Sequence, residues 1–143
     1  MGEVYEHVEA ELENIKRVVA ELPGSDSLAD ISSLELAGVG ALIHNFYNGV
    51  ENILKQLVIF SGSQVPDNSS WHRDLVNLAV SNNIISESTA KELKRYLAFR
   101  HFFGHGYSFD LDKERIIPLV EGIPATLVSF TNEINKALRQ RGQ

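Results

Sequence analysis

Val4, Val8, Leu12, Ile15, Val19 and Leu22 recur three or four positions apart, with mostly charged and polar residues between them. That spacing draws a single apolar stripe along an α-helix. Pro23-Gly24-Ser25 follows and ends it. A second, longer stripe runs through Val39, Leu42, Ile43, Phe46, Val50, Ile53, Leu54 and Leu57. Ser61-Gly62-Ser63 closes that helix, and Pro66-Asp67-Asn68-Ser69-Ser70 reads as a surface loop. A shorter helix is expected from Trp71 to about Val80, turning Leu75, Leu78 and Ala79 inward. Ser86 is placed as the N-cap of the next helix, which packs through Thr89, Ala90, Leu93, Tyr96, Leu97 and Phe99. Asp112 caps a last helical region carrying Ile116, Leu119, Val120, Ile123, Leu127, Phe130, Ile134 and Leu138. Pro118 and Pro124 fall inside it. Each removes a backbone donor, so a kink or break is expected near Gly122-Ile123-Pro124. No segment alternates at period two, and no repeat or linker divides the chain. The pattern predicts an all-α protein, a single helical bundle of about four to six helices spanning residues 1–143.

Composition narrows this picture. A chain of 143 residues that is 43% hydrophobic can bury a real core. No apolar run approaches the roughly 20 residues that a membrane span requires, so no membrane association is expected. The acidic start, Met-Gly-Glu-Val-Tyr-Glu, resembles neither a signal peptide nor a basic transit peptide. With no cysteine there is no disulfide and no thiolate metal site, and a cytoplasmic location is expected. The net charge of −6 first argues against a nucleic-acid partner. Its distribution changes that view. Residues 1–30 hold eight acids and only Lys16 and Arg17 as bases, which accounts for the whole −6. The remainder is balanced, and Lys91, Lys94, Arg95 and Arg100 make a basic stretch, read either as a solvated helix face or as an approach for phosphates. A broad duplex-binding footprint is not expected from a chain without a strongly basic domain, while a small site gripping a few phosphates remains open.

The chemistry gathers in Arg100-His101-Phe102-Phe103-Gly104-His105-Gly106-Tyr107. Arginine holds phosphate, and imidazole moves protons near neutral pH. Together they can break a phosphodiester without a metal if the substrate is held in line. On an ideal helix residues five apart differ by about 140° in azimuth, so Arg100 and His105 meet only if the chain turns at Gly104. His101 and His105 are four apart, which is also a metal-ligand spacing, although no Glu occupies the adjacent position of a zincin motif. They can equally satisfy backbone carbonyls at a helix C-terminus, where cations are favoured. Spacing alone leaves these three readings open. Other templates are missing: no phosphate-binding glycine loop, no Gly-x-Ser-x-Gly elbow and no cysteine nucleophile. Gly38-Val39-Gly40 is better explained by close helix packing than by nucleotide binding. His7, His44 and His72 stand isolated in the sequence and are read as structural or solvent-facing, and Trp71 as a core or loop anchor.

Arg100-x4-His105-Gly106-Tyr107 resembles the Arg-x4-His-x-Tyr motif of HepT-like toxins, a branch of the HEPN (higher eukaryote and prokaryote nucleotide-binding) superfamily. The polar residue after the arginine, His101, fits. Tyr47-Asn48-Gly49-Val50-Glu51-Asn52-Ile53-Leu54-Lys55 resembles the family's second-helix signature, and Trp71-His72-Arg73-Asp74-Leu75 the segment after its surface loop. The agreement runs from about residue 30 to the end, while the acidic first helix carries nothing diagnostic. The resemblance implies a single HEPN domain that is the toxin of a type II-like HEPN/MNT toxin–antitoxin system. It implies a homodimeric, metal-independent endoribonuclease without a cofactor, whose partner is an MNT-type nucleotidyltransferase antitoxin. That partner is expected to silence the site by transferring AMP to Tyr107. Within this frame Arg100 is expected to bind the non-bridging phosphate oxygens and His105 to transfer the proton, with His101 in a lesser, orienting role. Glu51, a carboxylate in a largely apolar helix, is expected to pair with Arg100; the alternative is a solvated surface position. The competing reading is a catalytically inactive HEPN module that binds a nucleotide or a protein through the same cleft. A third is a chain that serves mainly as substrate and assembly partner of the transferase.

Overall fold

The computed structural model describes residues 2–104 and 111–142. Five α-helices make up the fold, with no strand among the described residues: α1 (Gly2–Ala20), α2 (Ser33–Phe60), α3 (Trp71–Ser81), α4 (Glu87–Gly104) and α5 (Lys113–Arg141). A 3₁₀ turn over Ser25–Asp30 joins α1 to α2. The bundle is built around α2, which touches each of the other four helices.

α2, α4 and α5 each start where a side chain satisfies one of the first amides. Ser32 and Glu35 form a reciprocal capping box at α2: the Glu35 amide donates to Ser32 Oγ at 3.1 Å, and the Ser32 amide donates to Glu35 Oε1 at 3.0 Å. The Ser32 amide, and then its hydroxyl, hold the Glu35 carboxyl below its ordinary value. Ser86 caps α4 as expected, accepting from the Thr89 amide at 3.1 Å. Glu133 of α5 then accepts from the Ser86 amide and the Thr89 hydroxyl, both at 2.7 Å, and ties the start of α4 to the last helix. Asp112 caps α5 through the Glu114 amide at 2.9 Å.

The stripes read from the sequence become the core. Val8, Leu12 and Ile15 of α1 meet the buried face of α2, which includes Ile43, Phe46, Val50, Ile53, Leu54 and Leu57. Two glycines set how closely α2 is approached. A Cβ on Gly49 would lie 2.6 Å from Ile15 Cγ1, and one on Gly40 would lie 2.9 Å from both Leu111 Cδ1 and Phe103 Cε1. Gly38 faces open space, so only Gly40 of that pair answers to close packing.

Of the kink or break expected in the last helix, the break does not occur. α5 is assigned helical from Lys113 to Arg141 with Pro118 and Pro124 inside it. A proline in a helix interior costs about 3 kcal/mol. Against that stand Ile116, Leu119, Val120, Ile123, Phe130, Ile134 and Leu138, all buried, at roughly 1.5–3 kcal/mol for each large side chain. Both prolines are exposed, so their rings point away from the packed face. Tyr96 of α4 adds a tie near the same stretch, donating its buried hydroxyl to the Leu119 carbonyl at 2.7 Å. Gly122 leaves room for it, since a Cβ there would meet the Tyr96 hydroxyl at 3.0 Å.

Candidate functional site

Three helices bring polar groups to one place. On α2, His44, Asn48 and Glu51 follow at intervals of four and three and so share a strip. α4 carries Arg100 one turn before its end at Gly104. α3 opens at Trp71, and His72 in its first turn reaches back to α2.

Arg100 is the centre. Its Nε donates to Asn48 Oδ1 at 2.9 Å, and the same nitrogen stands 3.9 Å from Glu51 Oε1. Its Nη1 approaches His72 Nε2 at 3.4 Å. Glu51 in turn meets His72 Nδ1 through Oε2 at 2.8 Å. The expected Glu51–Arg100 pair is therefore present but loose: the short contact of Glu51 goes to His72, and the short contact of Arg100 goes to Asn48. Burial explains the division. The Glu51 side chain is only 5% exposed, so its oxygens need close partners. Arg100 is 29% exposed and keeps part of its guanidinium toward solvent.

These distances assign the imidazole's protons. Arginine has only donors, so its approach to His72 Nε2 requires a lone pair there. The proton then sits on Nδ1, donating to Glu51. His72 is further held by the Trp71 ring, whose centroid lies 3.7 Å away, and Lys55 places its ammonium 4.5 Å from the Trp71 ring centroid. The Tyr47 hydroxyl is buried one turn before Glu51 and has no hydrogen-bond partner of proper geometry among the described residues. Burial foremost, then the nearby Glu51 charge, pushes its pKa well up, so it stays a neutral phenol. His44 rests against Phe103 with centroids 5.4 Å apart and contacts Asn48 through Nδ1 at 3.3 Å. Burial, then the Arg100 charge, lowers its pKa.

Sequence reasoning placed Arg100, Glu51, His101, His105 and Tyr107 in one site. The structure brings Arg100 and Glu51 together. His101 follows Arg100 in the last turn of α4 and is exposed. His105 and Tyr107 lie outside the described residues. His72, read as isolated, instead reaches Arg100 from α3, and His44, also read as isolated, contacts Asn48, the hydrogen-bond partner of Arg100, and feels the Arg100 charge. The signal that could have found His72 is the segment Trp71-His72-Arg73-Asp74-Leu75 itself, since polar residues opening a helix after a loop are positioned to fold back on a neighbour. Of the basic stretch, Lys94 donates to Asn77 Oδ1 at 2.8 Å and Arg95 pairs with Glu92 at 2.9 Å.

No group of three or more His, Asp or Glu among the described residues is placed to hold a metal ion. No helix of the described residues is long and apolar enough to cross a membrane. What the arrangement offers is a fixed guanidinium, an imidazole with an available lone pair, and a buried carboxylate behind them. Residues 38–140 match a family model described as HepT-like protein. The chain matches no curated protein and no solved structure.

Proposed function

We propose, from the premise that this chain belongs to the HepT-like protein family, that it is the toxin of a toxin–antitoxin pair and a metal-independent endoribonuclease. The single observation that carries the reading is the setting of Arg100. A guanidinium fixed by Asn48, Glu51 and His72, yet 29% exposed, is a ready phosphate clamp. It stands in the last turn of the helix that leads into His105-Gly106-Tyr107.

RNA carries its own nucleophile in the 2′-hydroxyl. The protein need only move that proton, stabilise the crowded phosphorane and help the 5′-oxygen leave. Arg100 is assigned the non-bridging oxygens, where charge accumulates in the transition state. His105 is assigned a proton transfer, and His101 an orienting role. In a homodimer a two-fold axis through the site would supply two copies of each group. Tyr107 is assigned as the acceptor of AMP from a nucleotidyltransferase antitoxin. The added phosphodiester would pair with Arg100 and occupy the substrate's place. The whole of residues 1–143 is read as one HepT-like domain acting in the cytoplasm.

Expression of the chain alone tests the reading. Wild type should arrest growth, and Arg100→Ala and His105→Ala should not. Purified protein should cleave RNA in the presence of a chelator. Growth arrest undiminished in both variants would remove the nuclease assignment. A chain that neither arrests growth nor cleaves RNA is the inactive, ligand-binding module instead.

A further inference from the structure

We infer that His72, oriented by Glu51, is a second proton-transfer residue of the site, contributed by α3 from outside the Arg-x4-His-x-Tyr motif. The inference rests on the ribonuclease reading and adds a catalytic group to it.

The geometry is that of a carboxylate–imidazole pair aimed at a phosphate clamp. Glu51 Oε2 accepts a hydrogen bond from Nδ1–H at 2.8 Å, which fixes both ring orientation and tautomer. The remaining nitrogen, Nε2, faces Arg100 Nη1 at 3.4 Å. A long contact of that kind is readily exchanged. A phosphate arriving on the guanidinium would draw the Nη1 hydrogen to itself and leave the Nε2 lone pair beside the substrate. Glu51 is almost fully buried at 5% exposure, whereas His72 keeps 23% of its side chain open. The carboxylate thus orients and the imidazole reacts. A structural pair would be expected to bury both members.

The step balances without any added reagent. His72 Nε2 accepts the proton of the 2′-hydroxyl and becomes an imidazolium stabilised by Glu51. The 2′-oxygen bonds to phosphorus, the bond from phosphorus to the 5′-oxygen breaks, and that oxygen takes a proton from the other proton carrier of the proposed site. The products are a 2′,3′-cyclic phosphate and a 5′-hydroxyl end, and the two carriers reset by exchange with water. Among the described residues, the charged groups facing His72 are Glu51 from α2 and Arg100 from α4, with Lys55 of α2 behind the Trp71 ring. Arg73 and Asp74 flank it on α3.

The test is cleavage of a short labelled RNA by the full chain, unmodified, across the neutral pH range. His72→Ala should cut the rate by roughly a hundredfold or more, the scale of a lost general base. Added imidazole should restore part of it, because the vacated position opens to solvent. His72→Gln, which fills the space but does not titrate, should lose the acid limb on which the wild-type rate falls as the base takes a proton. It also serves if His72→Ala does not fold. Glu51→Gln should shift that limb. A His72→Gln rate and pH profile like those of wild type, with Arg100→Ala inactive, would overturn the inference and leave the nuclease reading standing. Loss in His72→Ala with no imidazole rescue and an unchanged profile in His72→Gln would likewise overturn it, assigning His72 a purely structural role. A wild-type chain that leaves the RNA whole would overturn both.

Discussion

Arg100 works through the shape of its donors as much as through its charge. Nε is committed to Asn48 and Nη1 leans on His72, while the other guanidinium hydrogens have no hydrogen-bond partner among the described residues. A lysine at this position is a compact point charge and cannot span those partners. Arg100→Lys should therefore lose RNA cleavage by roughly a hundredfold or more, close to the loss in Arg100→Ala. A variant cleaving within about threefold of wild type would show that charge alone suffices. His44 allows a test that needs no substrate. Burial first, and the Arg100 charge second, hold its imidazole below the ordinary value, with Asn45 and Glu51 opposing. The unfolded chain takes up that proton near pH 6.5, and the folded chain resists. Stability linked to His44 is thus complete above the unfolded value and is lost as pH falls through it toward the depressed folded one. The melting temperature of His44→Gln should fall less than that of wild type between about pH 7.5 and about pH 5. Equal declines would contradict the assignment. At this scale the sequence was half legible. Glu51 announced itself by interrupting an apolar stripe. His72 did not, because its partner lies 21 positions away and periodicity says nothing about which loop folds back on which helix.

Helix identities were readable from spacing and caps, since those signals are local. Ser86, Asp112 and the end of α1 before Pro23 all fell where a side chain or a proline could act within one turn. The break expected in α5 fails for the opposite reason. A local rule, proline breaks helices, met a non-local force, the burial of a long apolar face and the tie from Tyr96. Tyr96 is suited to that tie because burial pushes its phenol up to about 12, so it donates at any ordinary pH. Removing the hydroxyl in Tyr96→Phe should cost about 1 kcal/mol, read as a fall of a few degrees in melting temperature. Gly49→Ala should do more. Its new methyl would stand 2.6 Å from Cγ1 of the buried Ile15 side chain. A loss of about 1–3 kcal/mol is expected by chemical denaturation. An unchanged midpoint would mean that α1 shifts freely on α2.

For the molecule as a whole, charge is divided between regions. The excess of acid sits in residues 1–30, while the proposed phosphate clamp belongs to α2, α3 and α4. Such a layout suits a protein that grips a few phosphates rather than coating a duplex. If AMP transfer to Tyr107 silences the site, intact mass after co-expression with a neighbouring nucleotidyltransferase should rise by one or more AMP units, and Tyr107→Phe should not gain them. An unchanged mass with an active transferase would remove that regulation. Cleavage by a mixture of Arg100→Ala and His105→Ala chains would show that two copies share one site. None of these assembly properties is written in a hydrophobic pattern, which records what a chain buries in itself. The same long-range construction bears on when activity can arise. Arg100 and Asn48 are 52 positions apart, so a growing polypeptide on the ribosome lacks the completed clamp until Arg100 has been added and can fold back on α2. Until then, a chain read as attacking RNA has no guanidinium set to hold a phosphate.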